Sequence, residues 1–261
     1  MSVLRAIIIS SIVAGIAAGS VVTVAQQFGT VPMILKGEVY EAAANAASDQ
    51  VGTVESTKDG SAAQQHPGTE QTDEHSAGPE HHETVWAPKE GWERIGFTGT
   101  ANILTSIGFA LLLGGIYALR HSVVTWHEGL LWGLGAFVAF TVAPGLGLPP
   151  ELPGVAAAPL EPRQIWWVAT AVATASGLGL VFLRRSLWAS LLGLILIALP
   201  HLIGAPHLEE VRTNVPAALS HQFVVAVTLT SLLFWALLGS VTAVAYARLS
   251  VSSSEPFSNV R

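Results

Sequence analysis

No charged side chain interrupts the stretch Gln222-Phe-Val-Val-Ala-Val-Thr-Leu-Thr-Ser-Leu-Leu-Phe-Trp-Ala-Leu-Leu-Gly-Ser-Val-Thr-Ala-Val-Ala-Tyr246, which is about 25 residues long. An α-helix needs roughly 20 predominantly apolar residues to cross the hydrocarbon core of a bilayer. Five further apolar runs of comparable length cover residues 3–25, 96–119, 129–146, 164–183 and 187–205. We therefore predict an all-α integral membrane protein, a bundle of about six transmembrane helices in a lipid bilayer.

The composition supports this fold class and excludes several functions. Of 261 residues, 51% are hydrophobic and 11% are charged, whereas a typical soluble domain carries about 25% charged residues. The net charge of −6 provides no basic surface for nucleic acid. Because cysteine is absent, a metal ion would need imidazole, carboxylate or carbonyl ligands. No GxxxxGK[ST], GxSxG or HExxH motif occurs, so we predict neither an ATPase nor another enzyme, and no organic cofactor.

The apolar runs divide the chain into segments. Residues 1–27 form a first transmembrane helix that we expect to be retained, although Arg5 and a small-residue end also resemble a secretory signal. Residues 28–95 form an external acidic, His-rich loop, residues 96–248 a five-helix membrane bundle, and residues 249–261 a cytoplasmic tail. Arginine is denser in the segments that share a side with the termini. By the positive-inside rule, both termini are then cytoplasmic.

A weak internal repeat suggests how the bundle is built. A tryptophan and a proline twelve residues apart recur at Trp132 and Trp188, so we predict duplicated hairpins at residues 96–152 and 164–208, followed by a last helix at 216–248. Chance similarity between apolar segments is the alternative. Two pairs of glycines are spaced by four residues, Gly15 with Gly19 and Gly129 with Gly133. Such a spacing permits two helices to approach closely. The alternative is that these glycines only face lipid.

The external segment from residue 66 to residue 83 carries four histidines and five carboxylates without apolar periodicity, so we expect it to be disordered. Neutral imidazoles beside carboxylates bind Co²⁺, Ni²⁺, Cu²⁺ and Zn²⁺ loosely. The alternative is an acidic spacer with scattered histidines. The candidate ligands of this segment are His66, His75, His81 and His82.

A second group of candidate ligands lies at the outer helix ends. His201 stands inside an apolar run, between Pro200 and Gly204, and an unpaired titratable residue within a membrane is a functional candidate. An interfacial histidine that caps a helix is the alternative. The same outer face collects further candidate metal ligands, namely His207, Glu151, Glu38, Glu41 and His221. Gln26, at the end of the first run, lies on the same face. Asn102 and Thr105 are the remaining polar residues within the membrane, and helix–helix hydrogen bonding explains them as well as an ion pathway does.

Several strings resemble the CbtA family of predicted cobalt transporter subunits. They comprise Gln26-Gln27, the segments 31–41 (VPMILKGEVYE), 91–94 (GWER), 143–154 (APGLGLPPELPG), 163–167 (RQIWW) and 200–207 (PHLIGAPH). The resemblance implies a multi-pass protein of the bacterial plasma (inner) membrane, with five or six helices, that imports Co²⁺ for cobalamin biosynthesis. It also implies a small single-helix, His-bearing partner, CbtB.

The sequence thus predicts a divalent-cation uptake subunit that captures Co²⁺ at the outer face and passes it inward without its own ATPase. Ni²⁺ is open as an alternative ion, since the stability order favours Ni²⁺ over Co²⁺ at the same ligands. The alternative function is a non-transporting membrane scaffold, an assembly factor or a haem-binding factor. Two histidines on different helices, His201 and His221, are the best axial haem ligands that the chain offers.

Overall fold

The structure is a computed structural model that describes residues 2–56, 88–89, 91–120, 124–184, 186–208 and 213–251, of which 48–56 and 251 are described by backbone alone. All regular elements within these residues are helices. In chain order they are α1 (Val3–Phe28), α2 (Val31–Ser56), α3 (Trp92–Arg120), α4 (Trp126–Phe137), a π-helix (Val138–Val142), α5 (Ala143–Gly147), α6 (Leu160–Leu183), α7 (Leu187–Ile203) and α8 (Ala217–Val251).

Five helices of the described chain are long and apolar enough to cross a membrane, which confirms the predicted all-α membrane fold. They are Val3–Phe28, Trp92–Arg120, Trp126–Gly147, Leu160–Leu183 and Ala217–Ser250. The remaining apolar run forms α7, which has 17 residues and is shorter than the predicted 187–205. It ends there because Gly204 takes φ +88°, a backbone conformation that glycine adopts at little cost.

The segment predicted as an external loop, residues 28–95, differs from that prediction in its first part. The helix α2 begins at Val31, immediately after Gly29 and Thr30 interrupt α1, and continues to Ser56. Pro32 suits a first helical turn, and the alanine-rich stretch that follows has high helix propensity. The histidine segment, residues 66–83, lies outside the described residues.

Glycines bring the helix backbones into close contact, as predicted for both glycine pairs. In α1, Gly15 and Gly19 face the backbone of α3, and in α4, Gly129 and Gly133 face the backbone of α8. A Cβ atom at Gly129 would lie 2.5 Å from the carbonyl oxygen of Gly239. Since lipid offers no hydrophobic force between helices, such close packing is a main source of helix association.

The two predicted hairpins differ in how they pack. α6 and α7 pack against each other, whereas α3 packs mainly on α1, and α4 mainly on α8. The bundle therefore has a core of α1, α3, α4 and α8, with the α6–α7 pair attached through α6 to the π-helix and α5.

The antiparallel helices give the bundle two distinct ends. One end, here called the loop face, carries α2 and the connecting residues 148–159, 204–208 and 213–216. A small apolar cluster of Leu152, Val215 and Phe223 lies under α2 and fastens these segments to α8. The opposite end, here called the arginine end, carries Arg5, Arg120, Arg184 and Arg248.

Candidate functional site

Two of the predicted carboxylate ligands are held by arginines at the loop face. Arg94, in the first turn of α3, donates hydrogen bonds to both carboxylate oxygens of Glu38 on α2, at 2.5 and 3.2 Å. Arg163, in the first turn of α6, donates to Glu151 at 2.9 Å. Both pairs are partly exposed to solvent. Each carboxylate therefore neutralises a guanidinium, in addition to any role toward a cation.

The position of Glu38 is fixed by the packing of α2 on the connection between α5 and α6. Gly37 contacts Pro153, and Gly154 approaches the backbone of Glu41 so closely that an added Cβ would lie 3.2 Å from its nitrogen. Gly154 has φ +83°, and its carbonyl oxygen accepts a hydrogen bond from Thr213. Glu41 itself points to the exposed side of α2.

The predicted histidine ligands of the loop face lie in three different environments. His201, in the last turn of α7, is half-buried and meets the ring of Trp166 edge-on, with 5.9 Å between ring centroids. The indole Nε1 of Trp166 donates to the carbonyl oxygen of Pro200 at 3.2 Å and so anchors this turn to α6. His207, beyond Gly204, and His221, at the start of α8, are both exposed.

The described part of the chain contains no cluster of three His, Asp or Glu side chains that could hold one metal ion. His66, His75, His81 and His82 lie outside that part. The candidate ligands Glu38, Glu41, Glu151, His201, His207 and His221 thus share the loop face without converging on a single point.

A cavity of 290 Å³ lies between α1, α3 and α8, and its wall at the loop face includes Ile34 of α2. Seven of its twelve lining residues are uncharged polar residues, and none is charged. The polar residues are Gln26, Thr30, Asn102, Thr105, Ser106, Thr230 and Ser231. The apolar residues, besides Ile34, are Val22, Phe223, Val227 and Phe234.

The Asn102 side chain organises this cavity. Its amide Nδ2 donates to the hydroxyl of Thr23 at 3.0 Å and to the Oε1 atom of Gln26 at 2.7 Å. Both amide hydrogens of Asn102 are therefore donated to other side chains, and no described residue donates a hydrogen bond to the Oδ1 atom of Asn102. The hydroxyls of Thr105, Thr230 and Ser231 likewise have no hydrogen-bond partner among the described residues. Four oxygen atoms at the cavity wall are therefore available to water or to a ligand.

Aromatic side chains pack where the cavity ends toward the arginine end. Phe234 lines the cavity and packs on Phe109 of α3 and on Trp235. Trp235 stacks on Phe140 of the π-helix, with 5.5 Å between centroids, and its Nε1 donates to Thr141 at 3.3 Å. The π-helix precedes Pro144, which lacks the N–H that a regular helix requires. Single π-helical turns of this kind are frequent at functional sites.

Sequence reasoning found part of this cavity and missed the rest. Asn102 and Thr105 were singled out as polar residues within the membrane and Gln26 as a polar residue at the outer end of the first run, and the structure joins Asn102 to Gln26 by a hydrogen bond. Thr230 and Ser231 were missed because a hydroxyl in a long apolar run commonly bonds to its own helix, as Thr228 does to Val224. No pattern within α8 indicates that these two hydroxyls face Asn102.

Comparison with known proteins gives one result that covers most of the chain. The family model described as probable cobalt transporter subunit (CbtA) matches residues 4–247, from the first turn of α1 to the last turns of α8. No curated protein and no solved structure matches the chain.

Proposed function

Because the chain belongs to the CbtA family of probable cobalt transporter subunits, we propose that it takes up a divalent cation, Co²⁺, across the bacterial inner membrane. The observation that carries this proposal is the family match, which spans all five membrane-crossing helices. Transport proceeds from the loop face to the arginine end, which we assign to the cytoplasm because cytoplasmic segments are rich in arginine.

The energy for uptake comes from the membrane potential in this proposal. The sequence contains no phosphate-binding loop with which the chain could use ATP. Moving one elementary charge inward through 100 mV releases about 2.3 kcal/mol, so a divalent ion releases about 4.6 kcal/mol. Collapsing the potential in cells that express the protein is expected to abolish accumulation, and undiminished accumulation would refute this coupling.

The loop face collects the ion. His66, His75, His81 and His82 bind hydrated Co²⁺ loosely, since imidazole is a good ligand for this metal. His201 and His207 then replace part of its water shell, assisted by His221. The exposed carboxylate of Glu41 raises the cation concentration at the same surface, whereas Glu38 and Glu151 offset the positive charges of Arg94 and Arg163 there. A small single-helix, His-bearing subunit of the CbtB type is the proposed partner.

The proposal is tested by radiolabelled Co²⁺ uptake in cells that lack their own cobalt importers and express this chain with its partner. We expect uptake in wild type, a large loss in His201→Ala and no loss in His127→Ala. His127 is a suitable control because it is an exposed histidine at the arginine end, stacked on Trp126. Equal uptake by the two variants would remove His201 from the mechanism. If the wild-type protein takes up neither Co²⁺ nor Ni²⁺, the result favours the scaffold function instead.

A further inference from the structure

We propose that the cavity between α1, α3 and α8 is a binding site for the cation with its water shell intact. The ligands of the ion are then water molecules, and the protein contacts that shell through neutral amide and hydroxyl oxygens. This inference rests on the proposed function and deepens it, because it assigns a second binding site and its chemistry to the same ion.

The depth of the cavity is the first argument. At 1.5 Å per residue, Asn102 lies about 9 Å from the loop-face end of the apolar run 96–119, and Thr230 lies about 12 Å from that end of the run 222–246. Both residues therefore lie in the half of a roughly 30 Å hydrocarbon core that adjoins the loop face, and Gln26, to which Asn102 donates, lies at the end of the run 3–25. Polar groups without partners are costly at that depth. The unpaired oxygens of Asn102, Thr105, Thr230 and Ser231 therefore need water or a hydrated ligand.

The size and charge of the cavity define that ligand. Six water molecules, at about 30 Å³ each, occupy about 180 Å³, so a hexahydrated ion fits within 290 Å³. Hydroxyl and amide oxygens accept hydrogen bonds from water, and the charge of a bound cation makes the protons of its water shell stronger donors. The lining has no carboxylate or imidazole that would displace these waters.

The weak binding of such a site suits transport. An ion that passes through a membrane protein must be bound well enough to enter and weakly enough to leave. The cavity faces the loop face through Thr30 and Ile34, and Phe234 closes its other end against the aromatic cluster. In the described conformation an ion that enters from the loop face therefore stops beside Asn102.

A thiol-labelling experiment tests the site, because the chain has no cysteine of its own. Ser231→Cys places one thiol at the cavity wall, and Thr228→Cys places one on the same helix outside it. We expect a small, charged thiol reagent to label Ser231→Cys at least tenfold faster in purified full-length protein. Equal labelling rates would show that the cavity is closed to water and would overturn the proposal.

Protection from labelling then tests cation binding. We expect Co²⁺ alone to slow the labelling of Ser231→Cys, and we expect Asn102→Ala in the same background to abolish this protection. Because Asn102→Ala removes two hydrogen bonds and could disturb folding, Thr230→Val serves as a second variant. Its hydroxyl has no described partner, and its loss should raise the protecting Co²⁺ concentration about fivefold, as expected for one hydrogen bond.

Each outcome of the protection experiment decides one question. Protection that persists unchanged in both variants would show that the introduced thiol itself binds Co²⁺, and it would overturn the site. Absence of protection would overturn it as well. Since labelling does not depend on transport, protection in a protein that fails the uptake test would refute the proposed function and leave the cavity as a cation site.

Discussion

Glu38→Gln separates two roles that a carboxylate at the loop face can have, metal ligand or neutralising partner of Arg94. Glu38 accepts two hydrogen bonds from Arg94, and Arg94 lies eight residues, or about 12 Å along the helix axis, before Asn102. Arg94 has interactions besides this pair, but Glu38→Gln still removes one negative charge at about that distance and so makes the surroundings of a divalent cation beside Asn102 one unit more positive. The repulsion is about 0.7 kcal/mol in a water-like dielectric and about 2.8 kcal/mol at an effective dielectric constant of 20.

These energies predict that Glu38→Gln raises the KM for Co²⁺ uptake by about threefold to about one hundredfold. The measurement is the initial uptake rate as a function of Co²⁺ concentration at low ionic strength, where the Debye length is about 30 Å and screening is weak. Glu151→Gln is the matched control, because it removes the carboxylate that pairs with Arg163, and neither of these residues lines the cavity. We expect a much smaller change in KM for this variant.

The double variant Glu38→Gln/Arg94→Gln decides between the two roles. It removes the carboxylate and the guanidinium together, so a neutralising role predicts that KM returns to near the wild-type value. A metal-ligand role predicts that the double variant stays as defective as Glu38→Gln. That second result, or an unchanged KM in the single variant, would refute the electrostatic reasoning.

Three further predictions concern packing and selectivity. An added Cβ at Gly177 would lie 2.5 Å from a backbone oxygen of α7, whereas one at Gly179 would meet no atom within 4 Å. In detergent unfolding followed by circular dichroism, Gly177→Ala should therefore lose about 1–3 kcal/mol, and Gly179→Ala should lose nothing. Trp235→Phe should cost about 1 kcal/mol in the same assay, since it keeps an aromatic ring but loses the hydrogen bond to the π-helix. In uptake competition, Thr230→Val should slow Co²⁺ and Ni²⁺ alike, whereas His201→Ala should change the ratio between them.

Much of the membrane fold follows from the sequence because the bilayer imposes a simple length requirement on uncharged helices. The run 222–246 lies within α8, and the predicted start of the last helix, residue 216, differs by one from the observed Ala217. The helix α2 was missed because its alanine-rich part has high helix propensity but no apolar periodicity. Helix propensity alone does not distinguish a helix from a polar loop that connects two helices.

The site could be predicted only in part, because its contacts join positions that are far apart in the chain. Glu38 and Arg94 are separated by 56 positions, and the bond between Asn102 and Gln26 spans 76. Sequence reasoning placed Glu38 and Glu151 beyond the ends of the membrane-spanning runs, and the structure places Glu38 within α2 and Glu151 in the connection after α5. It could not show that Arg94 binds the carboxylate of Glu38, since each of these two residues could pair with several other charged residues at the same surface.

The chemistry of the two proposed sites implies that selection of the ion and its passage occur at different places. Neutral oxygens that contact an ion only through its water shell distinguish poorly between divalent ions of similar size, since the bound species is then mostly water. Imidazole nitrogen binds the metal directly, and direct ligands distinguish between metals by geometry and stability. In the proposed mechanism, preference for Co²⁺ arises where the water shell is partly removed, at histidines such as His201, before the ion is rehydrated in the cavity beside Asn102. A transporter built in this order keeps strong ligands out of the membrane interior, where slow release would limit the rate of uptake.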